Sequence, residues 1–157
     1  MIDYHKDMKV LFVCNANAAR SQIAQGFYNH LTGSENAQSA GVGSDKWWNE
    51  APSLAEFEKI SQRPAKSSET MAEIGIDISG QKRQFLTPDM LKNYDLVVNI
   101  AEKSQTPDWL KEGDNVIWWD ISDPRNQSDE KNRIAREEIR IKVEQLIRGE
   151  VVDDTSE

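Results

Sequence analysis

A single cysteine, Cys14, closes the apolar run Val10-Leu11-Phe12-Val13, and Arg20-Ser21 follows six residues later. The thiolate is the nucleophilic form of cysteine, and both a helix N-terminus and a nearby cation favour it over the thiol. Position 14 is offered both: the dipole of a helix beginning near Ala18, and the guanidinium of Arg20. Ser21 adds a hydroxyl able to donate to the same sulfur. The planar fork of arginine matches two oxygens of a tetrahedral oxyanion, which lysine, a point charge, does not. The intervening Asn15, Ala16, Asn17, Ala18 and Ala19 supply backbone N–H groups for the remaining oxygens. Such a set stabilises charge where it develops on an attacked phosphate. The same residues have a plainer reading, a buried strand cysteine and a surface arginine on a helix. A Cys-x5-Arg spacing alone does not separate the two. What favours chemistry is the order strand, tight loop, helix N-terminus, in which N–H groups and dipole converge on one point.

The elements that must position these groups are legible along the chain. Residues 8–14 read as a buried strand, short and almost wholly apolar. Ile23, Phe27 and Leu31 recur every four residues, giving a helix that ends at Thr32-Gly33-Ser34. A weaker strand is expected over 36–41, then a Gly/Ser/Trp-rich loop to residue 53, and a short helix through Leu54, Phe57 and Ile60. Pro64 is placed to start a helix reaching Ile74, with Gly75 as its cap. Thr87-Pro88-Asp89 opens a further short helix. Residues 94–101 and 115–121 read as strands, and Trp118 or Trp119 belongs to the core. Ser128–Arg148 reads as a long amphipathic helix with Ile139, Val143, Leu146 and Ile147 inward, and 150–157 as a loose tail. Strands alternating with helices imply a three-layer α/β fold, a four-stranded parallel sheet with helices on both faces, in one domain over 1–157. The carboxyl ends of parallel strands share one edge, so the loops after Cys14, Gly41, Ala101 and Ile121 are expected to gather there.

Composition narrows the partners. A net charge of −8 argues against nucleic acid, which needs a basic face. No apolar run approaches the roughly 20 residues that cross a bilayer, and the N-terminal Met-Ile-Asp-Tyr-His-Lys-Asp-Met has no apolar core of a signal peptide. One cysteine makes no internal disulfide, which fits a reducing cytoplasm. One cysteine with the scattered His5 and His30 forms no metal-ligand cluster, so neither metal nor cofactor is expected.

Val13-Cys14-x-x-Asn17-x-x-Arg20-Ser21 resembles the signature of the low-molecular-weight protein tyrosine phosphatases and the arsenate reductases that share their fold. Ser39-Ala40-Gly41, Gly75-Ile76-Asp77-Ile78-Ser79, Tyr94-Asp95-Leu96-Val97-Val98 and Asp123-Pro124 resemble further segments of that family. The resemblance implies that Cys14 attacks phosphorus to form a cysteinyl-phosphate and that Arg20 clamps the oxygens. It further implies that Asn17 braces the loop, Ser21 supports the thiolate, and Asp123 protonates the leaving oxygen and then activates water. Asp123 also follows a strand that ends on the expected edge, where one carboxyl group can act as acid and then base. Asp120 is its rival on the same loop; Pro124 favours Asp123 by fixing the turn that aims it.

Two departures from the family pattern matter. Ala16 stands where the family usually has glycine, so the loop must keep φ negative there or accept strain. Arg125-Asn126 follows Asp-Pro where the phosphatases commonly carry aromatic residues. Trp47 and Trp48 are offered instead as an aromatic wall for substrate, with local packing of a long loop the equal alternative. The implied activity is phosphomonoester hydrolysis, on a phosphorylated protein or a small aryl phosphate. The alternatives are a single-cysteine arsenate reductase using an external small thiol, since the internal dithiol relay of the thioredoxin-linked enzymes lacks its cysteines, and a non-catalytic oxyanion- or partner-binding domain.

Overall fold

The computed structural model describes residues 7–43, 51–61, 66–125 and 127–155. Four strands, β1 (Val10–Cys14), β2 (Ala37–Gly41), β3 (Leu96–Asn99) and β4 (Val116–Trp118), form one sheet in the order β2-β1-β3-β4. Every pairing is parallel, with Cys14 opposite Gly41, Val13 opposite Asn99, and Asn99 opposite Trp118. The expected parallel α/β architecture is therefore what forms.

The alternation along β1 explains the layers. Val10, Phe12 and Cys14 belong to one apolar cluster, whereas Leu11 and Val13 belong to a second on the other face. The first cluster lies under α1 (Arg20–Thr32), α3 (Ser67–Ala72) and α5 (Asp129–Ile147), and also holds Leu54 and Phe57 of α2 (Leu54–Ile60). The second is covered more thinly, by the 3-10 turn Pro88–Asn93 and the four-residue α4 (Asp108–Lys111). Phe12 sits at the centre of the larger core, its ring 5.8 Å from Trp119 and 6.2 Å from Tyr28.

Several boundaries move for physical reasons. α3 begins at Ser67 after Lys66 in the left-handed region (φ 55°), while Pro64, the expected start, lies outside the described residues. The fourth strand is only three residues long, although the Trp119 N–H still reaches Asn99 O at 2.9 Å. Trp119 is the core tryptophan. Leu31 and Ile60, expected on inward faces, are 45% and 42% exposed because each lies in the last turn of its helix, beyond the sheet.

The C-terminal segment does not hang free as far as Thr155. Trp118 donates its N–H to Asp153 Oδ1 and accepts from the Asp154 N–H, and Trp119 Nε1–H donates to Val152 O. Asp154 Oδ2 also accepts from the Asp120 N–H at 3.0 Å and from Lys142 Nζ at 3.1 Å. Burial works against the Asp154 carboxylate, but these donors outweigh it and hold its pKa below the ordinary value. The tail thus covers the open edge of β4, and an uncovered edge invites pairing with other chains. No helix among the described residues is long and apolar enough to cross a membrane.

Candidate active site

The loop between β1 and α1 lies at the carboxyl edge of the sheet. Cys14 ends β1, is buried, and places its Sγ 2.9 Å from Ser21 Oγ in the first turn of α1. The Asn17 side-chain amide donates to that Oγ at 2.8 Å, which leaves the hydroxyl proton directed at the sulfur. Asn17 has φ 52°, a region that asparagine enters more readily than most residues. Its Oδ1 accepts from the Gln84 N–H and its carbonyl from Gln22 Nε2, both at 3.0 Å, so the strained turn is fixed from two sides. Ala16 keeps a negative φ; the loop takes its left-handed residue at Asn17 instead.

Neighbouring segments hold the rest of the loop. Arg83, buried against the ring of Phe57 at 3.7 Å, donates from Nη2 to Ala16 O at 2.9 Å. Ser67 Oγ–H donates to Ala18 O. The Val42 and Gly43 N–H groups donate to Cys14 O and Asn15 O, and a Cβ on Gly43 would come within 2.7 Å of Asn15 Oδ1, so a larger residue there would displace the Asn15 side chain. Ala19 caps α1 with no side-chain hydrogen bond, leaving the first-turn N–H groups uncapped by any side chain.

Arg20 is 2% exposed and gathers three chain segments. Nη1 donates to Ile100 O, Ile121 O and Glu102 Oε2, each at 3.0 Å, and Nη2 donates to Glu102 Oε1 at 2.9 Å. Asp123 Oδ2 lies 3.7 Å from Nη2. Burial alone would lower the Arg20 pKa, but the Glu102 hydrogen bonds and the charges of Cys14 and Asp123 raise it above the ordinary guanidinium value. Asp123 Oδ1 accepts from the Arg125 N–H at 3.0 Å, the turn that aims this carboxylate.

Cys14, Asn15, Ala16, Ala18, Ala19, Arg20, Asp123 and Arg125 line one small cavity of about 10 Å³, the room of a single water. Asn17 and Ser21 stand behind it as braces. Of the two rival carboxylates Asp123 lines the cavity, whereas Asp120 is exposed with its backbone tied to the C-terminal segment. Trp47, Trp48 and Asn126 lie outside the described residues. Among the described residues no cluster of three or more histidine, cysteine or acidic side chains is placed to hold a metal.

Glu102 escaped the sequence reading, and so did Arg83. The signal for Glu102 was present: it directly follows the strand expected over 94–101, which ends on the site's edge, the same logic that singled out Asp123.

A family model described as low molecular weight phosphotyrosine protein phosphatase matches residues 9–156. Among curated proteins, a glutaredoxin arsenate reductase of Synechocystis sp. is 31% identical over 142 residues, covering 88% of this chain and 95% of that protein. A solved arsenate reductase in the phosphate binding state is 29% identical, with a TM-score of 0.68 and coverage of 90% and 98%. A solved low molecular weight protein tyrosine phosphatase from T. tengcongensis is 26% identical, with a TM-score of 0.66 and coverage of 91% and 99%.

Proposed function

The chain belongs to the low molecular weight phosphotyrosine protein phosphatase family, and on that premise we propose that it hydrolyses phosphomonoesters through a cysteinyl-phosphate. The observation that carries this reading is the convergence of Cys14 Sγ, Arg20 and Asp123 on one cavity, with Ser21 Oγ 2.9 Å from the sulfur. Glu102 occupies one edge of the Arg20 guanidinium. The Nε–H and the remaining Nη2–H then meet two phosphoryl oxygens, and loop N–H groups meet the third. The Cys14 thiolate attacks phosphorus, the P–O bond to the leaving group breaks, and the Asp123 carboxyl gives that oxygen its proton. In the second step the Asp123 carboxylate takes a proton from water attacking phosphorus, the S–P bond breaks, and phosphate and thiolate are released.

A second reading draws on the likeness to arsenate reductases. With one cysteine in the chain, the two electrons come from outside: arsenate and two small thiols give arsenite, one disulfide and water.

The test sets aryl phosphate hydrolysis beside thiol-dependent arsenite formation for wild type, Cys14→Ser and Asp123→Asn. Hydrolysis is expected in the wild type and at least ~10³-fold less in Cys14→Ser. Asp123→Asn is expected to lose about 10²-fold or more on esters with basic leaving groups. Wild-type turnover in Cys14→Ser would overturn the reading, and arsenite formation without ester hydrolysis would transfer it to the second.

A further inference from the structure

Arg125 is the second guanidinium of the cavity, and its situation is the reverse of that of Arg20. Arg20 has its outer edge held by Glu102 and two carbonyl oxygens. The Arg125 Nε is shielded from solvent with no hydrogen-bond acceptor, and among the described residues no carboxylate forms an ion pair with its side chain. A shielded guanidinium N–H without an acceptor costs free energy that an incoming anion recovers. The backbone fixes where that anion would sit. Arg125 follows Asp123 by two residues in one turn, closed by its own N–H on Asp123 Oδ1 at 3.0 Å. If Asp123 meets the leaving oxygen, Arg125, in the same turn and lining the same cavity, stands beside the leaving group.

We infer that Arg125 is a specificity residue that selects substrates whose leaving group bears a second anion, a carboxylate or a further phosphoryl group, over neutral aryl esters. The inference rests on the reading of the cradle as an oxyanion site. The selectivity is electrostatic and bidentate, so it needs the arginine fork.

The test measures binding of non-hydrolysable phosphonates by calorimetry, independent of turnover. Benzylphosphonate, para-carboxybenzylphosphonate and para-xylylenediphosphonate are titrated into wild type, Arg125→Gln and Arg125→Lys, with folding followed by thermal melting. Wild type is expected to bind at least one of the two probes with a second anionic group about tenfold more tightly than benzylphosphonate; which one tells carboxylate from phosphoryl recognition. Arg125→Gln is expected to reduce that ratio to about one, and Arg125→Lys to keep part of it. Equal affinities in the wild type, or a preference that survives in Arg125→Gln, overturn the inference. If none of the three binds, it falls together with the oxyanion reading. A preference in binding with no hydrolysis of the matching phenyl phosphates would leave it standing and overturn the phosphatase reading alone.

Discussion

A buried guanidinium needs acceptors, and Arg20 finds them at the ends of β3 and β4. Its orientation is decided by Ile100 O, Ile121 O and the Glu102 carboxylate rather than by substrate. Glu102, with a side chain 45% exposed, therefore acts through Arg20 as a positioning residue. Replacing it with glutamine keeps one hydrogen bond and removes the charge. Glu102→Gln is expected to lower kcat/KM for an aryl phosphate about tenfold and to cost about 1 kcal/mol, a fall in melting temperature of about 2–4 °C. Unchanged kinetics and melting would refute that role. Cys14 and Arg20 were legible from the order strand, loop, helix start, and Asp123 because strand ends in a parallel sheet share an edge. Arg83 was not legible: nothing in its immediate sequence signals that its segment runs beside β2 and beneath the loop.

At the scale of elements, what could be read was what has a period. β1 announces itself as an unbroken apolar run, β3 by Leu96-Val97-Val98, and α5 by its inward Ile139, Val143 and Leu146. The cover of the second sheet face, a 3-10 turn and a four-residue helix, is too short to show any period. The docking of the C-terminal segment rests largely on backbone groups and short acidic side chains, which look the same in sequence whether bound or free. Truncation after Glu150 removes the contacts to Trp118, Trp119, Asp120 and Lys142. It is expected to cost about 5 kcal/mol at ~1 kcal/mol per lost bond and to promote association through β4. Urea denaturation and size-exclusion chromatography over a concentration series check both parts, and an unchanged midpoint would show that the segment is a passenger.

The molecule as a whole carries an alkaline limit. Tyr28, at the contact of α1 with Phe12, donates its hydroxyl to Met8 O at 3.3 Å. Burial, and then the charges of Asp7 and Asp95, push its pKa up from 10.0 to about 12. The folded protein thus holds this proton where the unfolded chain releases it. Its contribution to stability is whole below pH 10 and is lost as pH rises toward about 12. Tyr28→Phe is expected to flatten that limb of a stability-versus-pH curve while losing about 1 kcal/mol at neutral pH. Identical alkaline slopes in the two proteins would assign the loss to other groups.

Arg20 and Ile121, joined by one hydrogen bond, stand 101 residues apart in the chain. At translation rates of about 5–20 residues per second, the arginine waits about 5–20 s for its last acceptor to be synthesised. Until then the cradle lacks the wall that Ile121 and Asp123 provide. Nascent fragments are therefore unable to bind an oxyanion as the finished protein would, and the onset of activity during synthesis would report that the final strand has joined the sheet.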